Sequence, residues 1–215
     1  MKYKLAVFDI DGTLTRHISS WQYIHEKFGI WDDQAIEYQN MYISGEITYR
    51  KFCELDAELW KGMPESRISG LFSRDLYTKN AVESLIKMKQ SGFTIALIST
   101  GLQYMAELIQ QDTGADIVIC NRLISRQGIM SGAVDVNIGH DEKGIKLRDI
   151  THSLGIEKQE IISVGDGRGD MPLAENSGYS IAFNADDADY IQKVDYVCSS
   201  DDFDEVYNCI HRINI

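Results

Sequence analysis

Leu5-Ala6-Val7-Phe8-Asp9-Ile10-Asp11-Gly12-Thr13-Leu14-Thr15 is the stretch that decides the fold. Its first four residues are an unbroken apolar run, too short for a helix, and predict a strand buried on both faces. Carboxylates follow at once. Residues two apart on an extended chain point the same way, so Asp9 and Asp11 can face one site at the strand's C-terminal end. Gly12 then permits a sharp turn. Two neighbouring acids repel, and a hard divalent cation such as magnesium, which prefers oxygen ligands, would relieve the repulsion. A calcium loop does not fit the spacing: its glycine position falls on Leu14 and its last acidic ligand on Ser20.

Further short apolar runs at residues 93–98, 117–119, 161–164 and 179–183 predict more buried strands. Helical spacing lies between them. Ala81, Val82, Leu85, Ile86 and Lys89 lead to Gly92, residues 102–112 lead to Gly114, and Leu147, Ile150 and Leu154 lead to Gly155. Strand alternating with helix predicts an α/β fold, a Rossmann-like and mostly parallel sheet with helices on both faces. Residues 121–137 depart from the alternation and predict a hairpin. Leu123-Ile124 on one side and residues 134–136 on the other flank the polar turn Arg126-Gln127-Gly128.

Residues 16–75 contain no convincing strand but hold all three tryptophans, with Tyr23, Phe28, Tyr38, Tyr42, Tyr49, Phe52 and Phe72. They predict a small helical cap inserted after the first strand. Residues 1–15 and 76–215 then form the main α/β unit.

Three other elements carry chemistry. Ser99-Thr100-Gly101 ends the second predicted strand, where a hydroxyl and free N–H groups at a helix start can hold phosphate or simply cap the helix. Lys143 sits at a predicted helix N-terminus, where a cation is electrostatically disfavoured, a mild hint of function. Val164-Gly165-Asp166-Gly167-Arg168-Gly169-Asp170 ends another strand. Its glycines imitate a dinucleotide loop, but Asp166 and Asp170 would repel a pyrophosphate and suit a cation. Strand C-termini of a parallel sheet converge on one edge, so Asp9, Ser99 and Asp166 are expected to meet there.

Composition bounds the partners. The 215 residues are 44% hydrophobic and 25% charged, ordinary for a globular protein, and carry a net charge of -12. No basic footprint for nucleic acid or an anionic membrane exists, and no apolar stretch approaches a membrane span. Cys53, Cys120, Cys198 and Cys209 match no zinc or redox spacing. With no signal-peptide pattern, reduced thiols in a cytoplasmic protein are expected, as a monomer or homodimer.

Asp9-x-Asp11-Gly-Thr-Leu-Thr, Ser99, Lys143 and Gly-Asp166-Gly-x-x-Asp170 resemble, in order, the four motifs of the haloacid dehalogenase superfamily. The helical insert, the stretch 121–124 and residues 181–185 are similar to the phosphoserine phosphatase subgroup. The resemblance implies a phosphomonoester hydrolase acting on a small phosphorylated metabolite. Asp9 would be the nucleophile that forms an aspartyl-phosphate. Asp11 would protonate the leaving alcohol and then activate water. Magnesium would be held by Asp9, the Asp11 carbonyl and Asp166, with Asp170 at or just behind them. Ser99, Thr100, Gly101 and Lys143 would hold the phosphoryl oxygens. Two alternatives use similar parts: a phosphotransferase or mutase on the same fold, and a phospho-Asp signalling domain. The latter places its acidic pair after the first strand and its phosphorylated Asp after a later one, unlike this chain. Departures from the subgroup fall on recognition. Ile18 stands where a glutamate reads the substrate ammonium, Glu54 aligns with a carboxylate-binding arginine, and Gly169 replaces an asparagine. Arg16, Arg50 and the cap aromatics are then candidate substrate contacts.

Overall fold

The computed structural model describes residues 2–17 and 19–214, with the side chain of Asp33 outside the described set. Ile18 therefore lies outside the described residues. The strands are β1 (Leu5–Phe8), β2 (Thr94–Leu102), β3 (Ile117–Arg126), β4 (Ile129–Asp135), β5 (Ile161–Gly165), β6 (Tyr179–Phe183) and β7 (Tyr196–Cys198). They form one sheet in the order β4-β3-β2-β1-β5-β6-β7, parallel throughout except where β4 runs against β3. The helices are α1 (Ser20–Phe28), α2 (Asp33–Ile43), α3 (Tyr49–Leu59), α4 (Glu65–Ser69), α5 (Ala81–Gln90), α6 (Gln103–Thr113), α7 (Lys143–Leu154), α8 (Met171–Glu175), α9 (Ala188–Ile191) and α10 (Asp204–Ile213).

Side-chain alternation along the strands builds two cores. Leu5, Val7, Ala96 and Ile98 face Leu147, Ile150 and Leu173 of α7 and α8. Ala6, Phe8, Ile95 and Leu97 face the other way, toward Leu85, Met88, Met105, Ile109, Val206 and Ile210 of α5, α6 and α10. Both faces of β1 are buried, which is why its sequence is an unbroken apolar run. β1 lies between β2 and β5, so the chain departs from it in both directions. That is the switch point at which a crevice opens beyond the strand C-termini.

α1 to α5 intervene between β1 and β2, the first four of them within residues 16–75. The Ser19 side chain caps α1 by accepting from the Gln22 amide, and Gly29 ends it in the left-handed conformation; Thr48 caps α3 in the same manner through Lys51. The β3–β4 hairpin reaches up to these helices. Met130 exchanges backbone bonds with Gly62 and Met63, and Gly128 accepts from the Glu65 amide.

Several expectations change. β2 runs to Leu102, beyond the predicted end at Ile98, and α6 begins at Gln103 without a side-chain cap. Ser99-Thr100-Gly101 therefore lies in extended strand backbone and does not start a helix. The strand predicted at 117–119 and the first arm of the hairpin are one ten-residue strand, β3, and Gln127 and Gly128 make the turn at positive φ. β7, α8, α9 and α10 were not among the expected elements, although Val206, Cys209, Ile210 and Ile213 of α10 carry helical spacing.

Candidate active site

Asp9 leaves β1 still tied to the sheet, its amide donating to the Val164 carbonyl at 3.0 Å. The chain then turns tightly. The amides of Thr13, Leu14 and Thr15 all donate to the Ile10 carbonyl, at 2.9–3.2 Å. Gly12 holds φ at +84°, and a Cβ there would collide with Asp166 Oδ2. The turn thus requires glycine both for its backbone and for the close approach of the Asp166 carboxylate.

Across the edge of the sheet, Lys143 is the first residue of α7 and only 3% exposed. Its Nζ donates to Asp9 Oδ1 at 2.7 Å and to Asp170 Oδ1 at 2.6 Å. Asp170 Oδ2 accepts from the Asp166 and Gly167 amides at 3.0 and 3.4 Å, which fixes the loop after β5. The Thr13 hydroxyl donates to Asp166 Oδ1 at 3.3 Å. One oxygen from each of Asp9, Asp166 and Asp170 lies within 4.8 Å of the others.

Three carboxyl groups (Asp9, Asp166 and Asp170) thus gather at this edge, two of them on one ammonium. Burial pushes Asp9 above the ordinary carboxylate range against the pull of Lys143, with Asp170 and Asp11 adding repulsion. Burial likewise pushes Asp166 up, reinforced by Asp9 and Asp170. For Lys143, burial opposes the charge, but Asp170 and Asp9 outweigh it and hold the ammonium above its usual range. An all-oxygen set with excess negative charge, closely spaced and held by a tight turn, fits a hard divalent cation.

Asp11 is held separately. Its Oδ2 accepts from the Ser20 amide at 2.7 Å, and its Oδ1 lies 3.0 Å from His17 Nε2. His17 stacks on Tyr23, with ring centroids 5.2 Å apart. Gly101 lets β2 approach this carboxylate: a Cβ there would run into Asp11 Oδ2. The buried Ser99 hydroxyl accepts from the Gly101 amide at 3.1 Å. The Thr100 carbonyl accepts from Trp21 Nε1 on α1, the Tyr49 hydroxyl on α3 and Asn121 Nδ2 on β3, at 3.1, 3.0 and 2.9 Å.

These groups open on a cavity of about 330 Å³. Asp9, Asp11, Ser99, Thr100, Gly101, Lys143, Asp166 and Asp170 all line it, as do the aromatic rings of α1, α2 and α3. Arg16 and Arg50 do not. Arg16 donates to the Asp75 carbonyl and faces a separate surface cleft. Arg50 lies on the outer side of α3 and donates to the Val136 carbonyl at 3.3 Å. Both were candidate substrate contacts by residue type alone, and their neighbours take them elsewhere. His17, Asp56 and His140 were missed. Asp56 carried a signal, an acid within the aromatic stripe of α3; His17 and His140 carried none.

The model of the haloacid dehalogenase-like hydrolases matches residues 6–175, most of the chain. The chain belongs to this family. Among its relatives, a phosphoserine phosphatase of Archaeoglobus fulgidus is 28% identical over 85% of this chain, which spans 53% of that relative's length. One from Methanocaldococcus jannaschii is 26% identical over 86% of this chain and 87% of the relative. A solved structure described as a phospho-aspartyl intermediate analogue of phosphoserine phosphatase superposes with a TM-score of 0.80 at 25% identity, over 97% of this chain and 99% of that one. This hydrolase is thus of the phosphatase type, and its acidic cluster of Asp9, Asp166 and Asp170 could hold a metal ion. Among the described residues, no helix is long and apolar enough to cross a membrane.

Proposed function

We propose that this hydrolase cleaves a small phosphate monoester through a phospho-Asp9 intermediate, with magnesium held by Asp9, Asp166 and the Asp11 backbone carbonyl and with Asp170 behind them. The observation that supports it best is Lys143. A buried ammonium beside the nucleophile candidate, lining a small cavity, sets a fixed positive charge where the oxygens of a phosphoryl group on Asp9 would lie.

The Asp9 carboxylate attacks phosphorus, the bond from phosphorus to the alcohol oxygen breaks, and Asp11 gives its proton to the departing oxygen. Asp11, now a carboxylate, takes a proton from water, whose oxygen attacks the phosphorus of phospho-Asp9. Inorganic phosphate leaves and Asp9 is restored. The cation, when bound, supplies positive charge to the phosphoryl oxygens. Lys143 and Ser99 hold the same oxygens, and the amides around Thr100 and Gly101 complete their setting. Residues 16–75 act as a cap that shields the intermediate from bulk water. Four free and buried thiols support a cytoplasmic home.

The test is release of phosphate from p-nitrophenyl phosphate. Release is expected with magnesium, lost on chelation and abolished by Asp9→Asn. The proposal fails if wild-type protein with magnesium releases none from this ester or from a broad panel of phosphorylated metabolites.

A further inference from the structure

α3 carries an acid where its own pattern calls for an apolar residue. Tyr49, Phe52, Cys53, Asp56, Ala57 and Trp60 follow one another at helical spacing. Of these, Cys53, Asp56, Ala57 and Trp60 are at most 2% exposed. A carboxylate in such a stripe is costly unless it is paired. The nearest cationic candidate is His25 on α1, with Nε2 3.4 Å from Asp56 Oδ1, and neither Asp56 oxygen has a well-aligned hydrogen bond. Burial pushes the Asp56 carboxyl up, opposed by His25. The phosphatase mechanism uses neither residue, yet Asp56 lines the same cavity as Asp9 and Lys143.

The rest of that wall is aromatic. Tyr42 and Phe52 stack at 5.4 Å with their planes 8° apart, and Tyr49 meets Tyr42 edge-on at 5.5 Å. Trp31 approaches His25 at 5.9 Å. Tyr49 is fixed to the tip of β2 by its hydroxyl, so the wall and the phosphoryl end keep a set relation. Ring faces carry negative potential, and a buried carboxylate among them adds to it. The basic side chains among the described lining residues are Lys143, already shared by two carboxylates, and His140; no arginine is among them. A substrate carboxylate would meet no guanidinium here, whereas a substrate cation would meet several rings with an acid buried behind them.

Resting on the phosphatase reading above, we propose that the substrate is the phosphate ester of an amino alcohol without a carboxylate, its alkylammonium head held by the rings of Trp31, Tyr42, Tyr49 and Phe52 with the buried Asp56 carboxylate behind them. A cavity of about 330 Å³ is at the small end for ligand sites and suits such a compact ester. The phosphoryl group then lies beside Lys143 and the ammonium among the rings in front of Asp56.

The experiment compares kcat/KM of the full chain with magnesium on phosphocholine, phosphoethanolamine, phosphoserine, p-nitrophenyl phosphate and 3,3-dimethylbutyl phosphate, the uncharged isostere of phosphocholine. At least one of the two amino-alcohol esters is expected to exceed both the uncharged isostere and phosphoserine by roughly 10–100-fold. The two differ in methylation and show which head the wall fits. Asp56→Asn should bring the ratio of cationic to uncharged ester within about threefold of unity. Should that variant not fold, Tyr42→Leu, at a half-buried position on α2, should lower the same ratio. Turnover of p-nitrophenyl phosphate with equal rates on cationic and uncharged esters, or with phosphoserine preferred, overturns the inference and leaves the phosphatase reading standing. No release from any ester brings down both.

Discussion

Lys143→Met is the substitution that most directly tests how the acidic edge is held together. The methionine keeps much of the aliphatic volume and removes the ammonium. Asp9 and Asp170 each lose a bond of 2.6–2.7 Å, between groups whose side chains are at most 6% exposed. Removing one partner of a buried ion pair costs about 3–5 kcal/mol, because the remaining charge is stranded. At about 2–4 °C per kcal/mol for a chain of this size, the metal-free variant should melt roughly 6–20 °C below wild type. The loss should depend on pH. Lys143 pulls the Asp9 carboxyl down against its burial, so without it Asp9 lies higher still. A carboxyl raised in the folded state favours folding less and less as pH climbs from its unfolded value, about 4, toward its folded one. The deficit should therefore be largest near pH 8 and smaller near pH 5. Calorimetry in chelator at both values reads it directly. Melting within 2 °C of wild type at pH 8 would refute the idea that Lys143 neutralises this edge, and a deficit that grows on acidification would refute its electrostatic origin.

Other outcomes follow from the same geometry. Gly101→Ala drives a methyl into Asp11 Oδ2 and should lower kcat at least roughly tenfold, measured on p-nitrophenyl phosphate, with a few degrees lost in melting. His17→Ala removes a side-chain partner of Asp11 Oδ1 and should reduce kcat more than it changes KM, as steady-state kinetics will show. Magnesium at about a hundred times its Kd should stabilise wild type by about 2.7 kcal/mol, visible as a rise in Tm, and Asp166→Asn should lose most of that rise. Burial pushes the thiol of Cys53 up to about 12 and those of Cys120 and Cys198 up to about 11. At pH 8 the native protein should resist alkylation at these positions and react on unfolding, as mass spectrometry will report.

The core was legible because its signals are local. Residues 5–8 could only be a strand buried on both faces, and Asp9, Asp11, Asp166 and Asp170 follow strand ends within a few residues. Convergence of strand termini did the rest, bringing Lys143 from far along the chain to Asp9. What failed was what tertiary contact decides. Ser99-Thr100-Gly101 looks like a helix start, but bonds to the Thr100 carbonyl from three other elements accompany its extended conformation. Arg16 and Arg50 have the right charge, and only the positions of the Asp75 and Val136 carbonyls show that they turn elsewhere. β7, three residues long, is too short to declare itself. Asp56 was visible as an anomaly within an aromatic stripe, but its neighbour His25 lies on a different helix and could not be assigned to it from spacing.

The Thr100 carbonyl, shared by Trp21 and Tyr49, has a consequence for the geometry of the cavity. It latches α1 and α3 to the strand that bears Ser99, so these two helices cannot swing outward without unhooking both donors from the phosphoryl end. Among the described residues, no side chain of α2 bonds to that carbonyl. Ala35 is its one buried residue among those described, and Tyr42 and the exposed Ile43 sit at the rim of the cavity. The alignment of the reacting groups therefore rests on α1 and α3, and α2 adds the Tyr42 ring to the cavity by stacking on Phe52 of that frame.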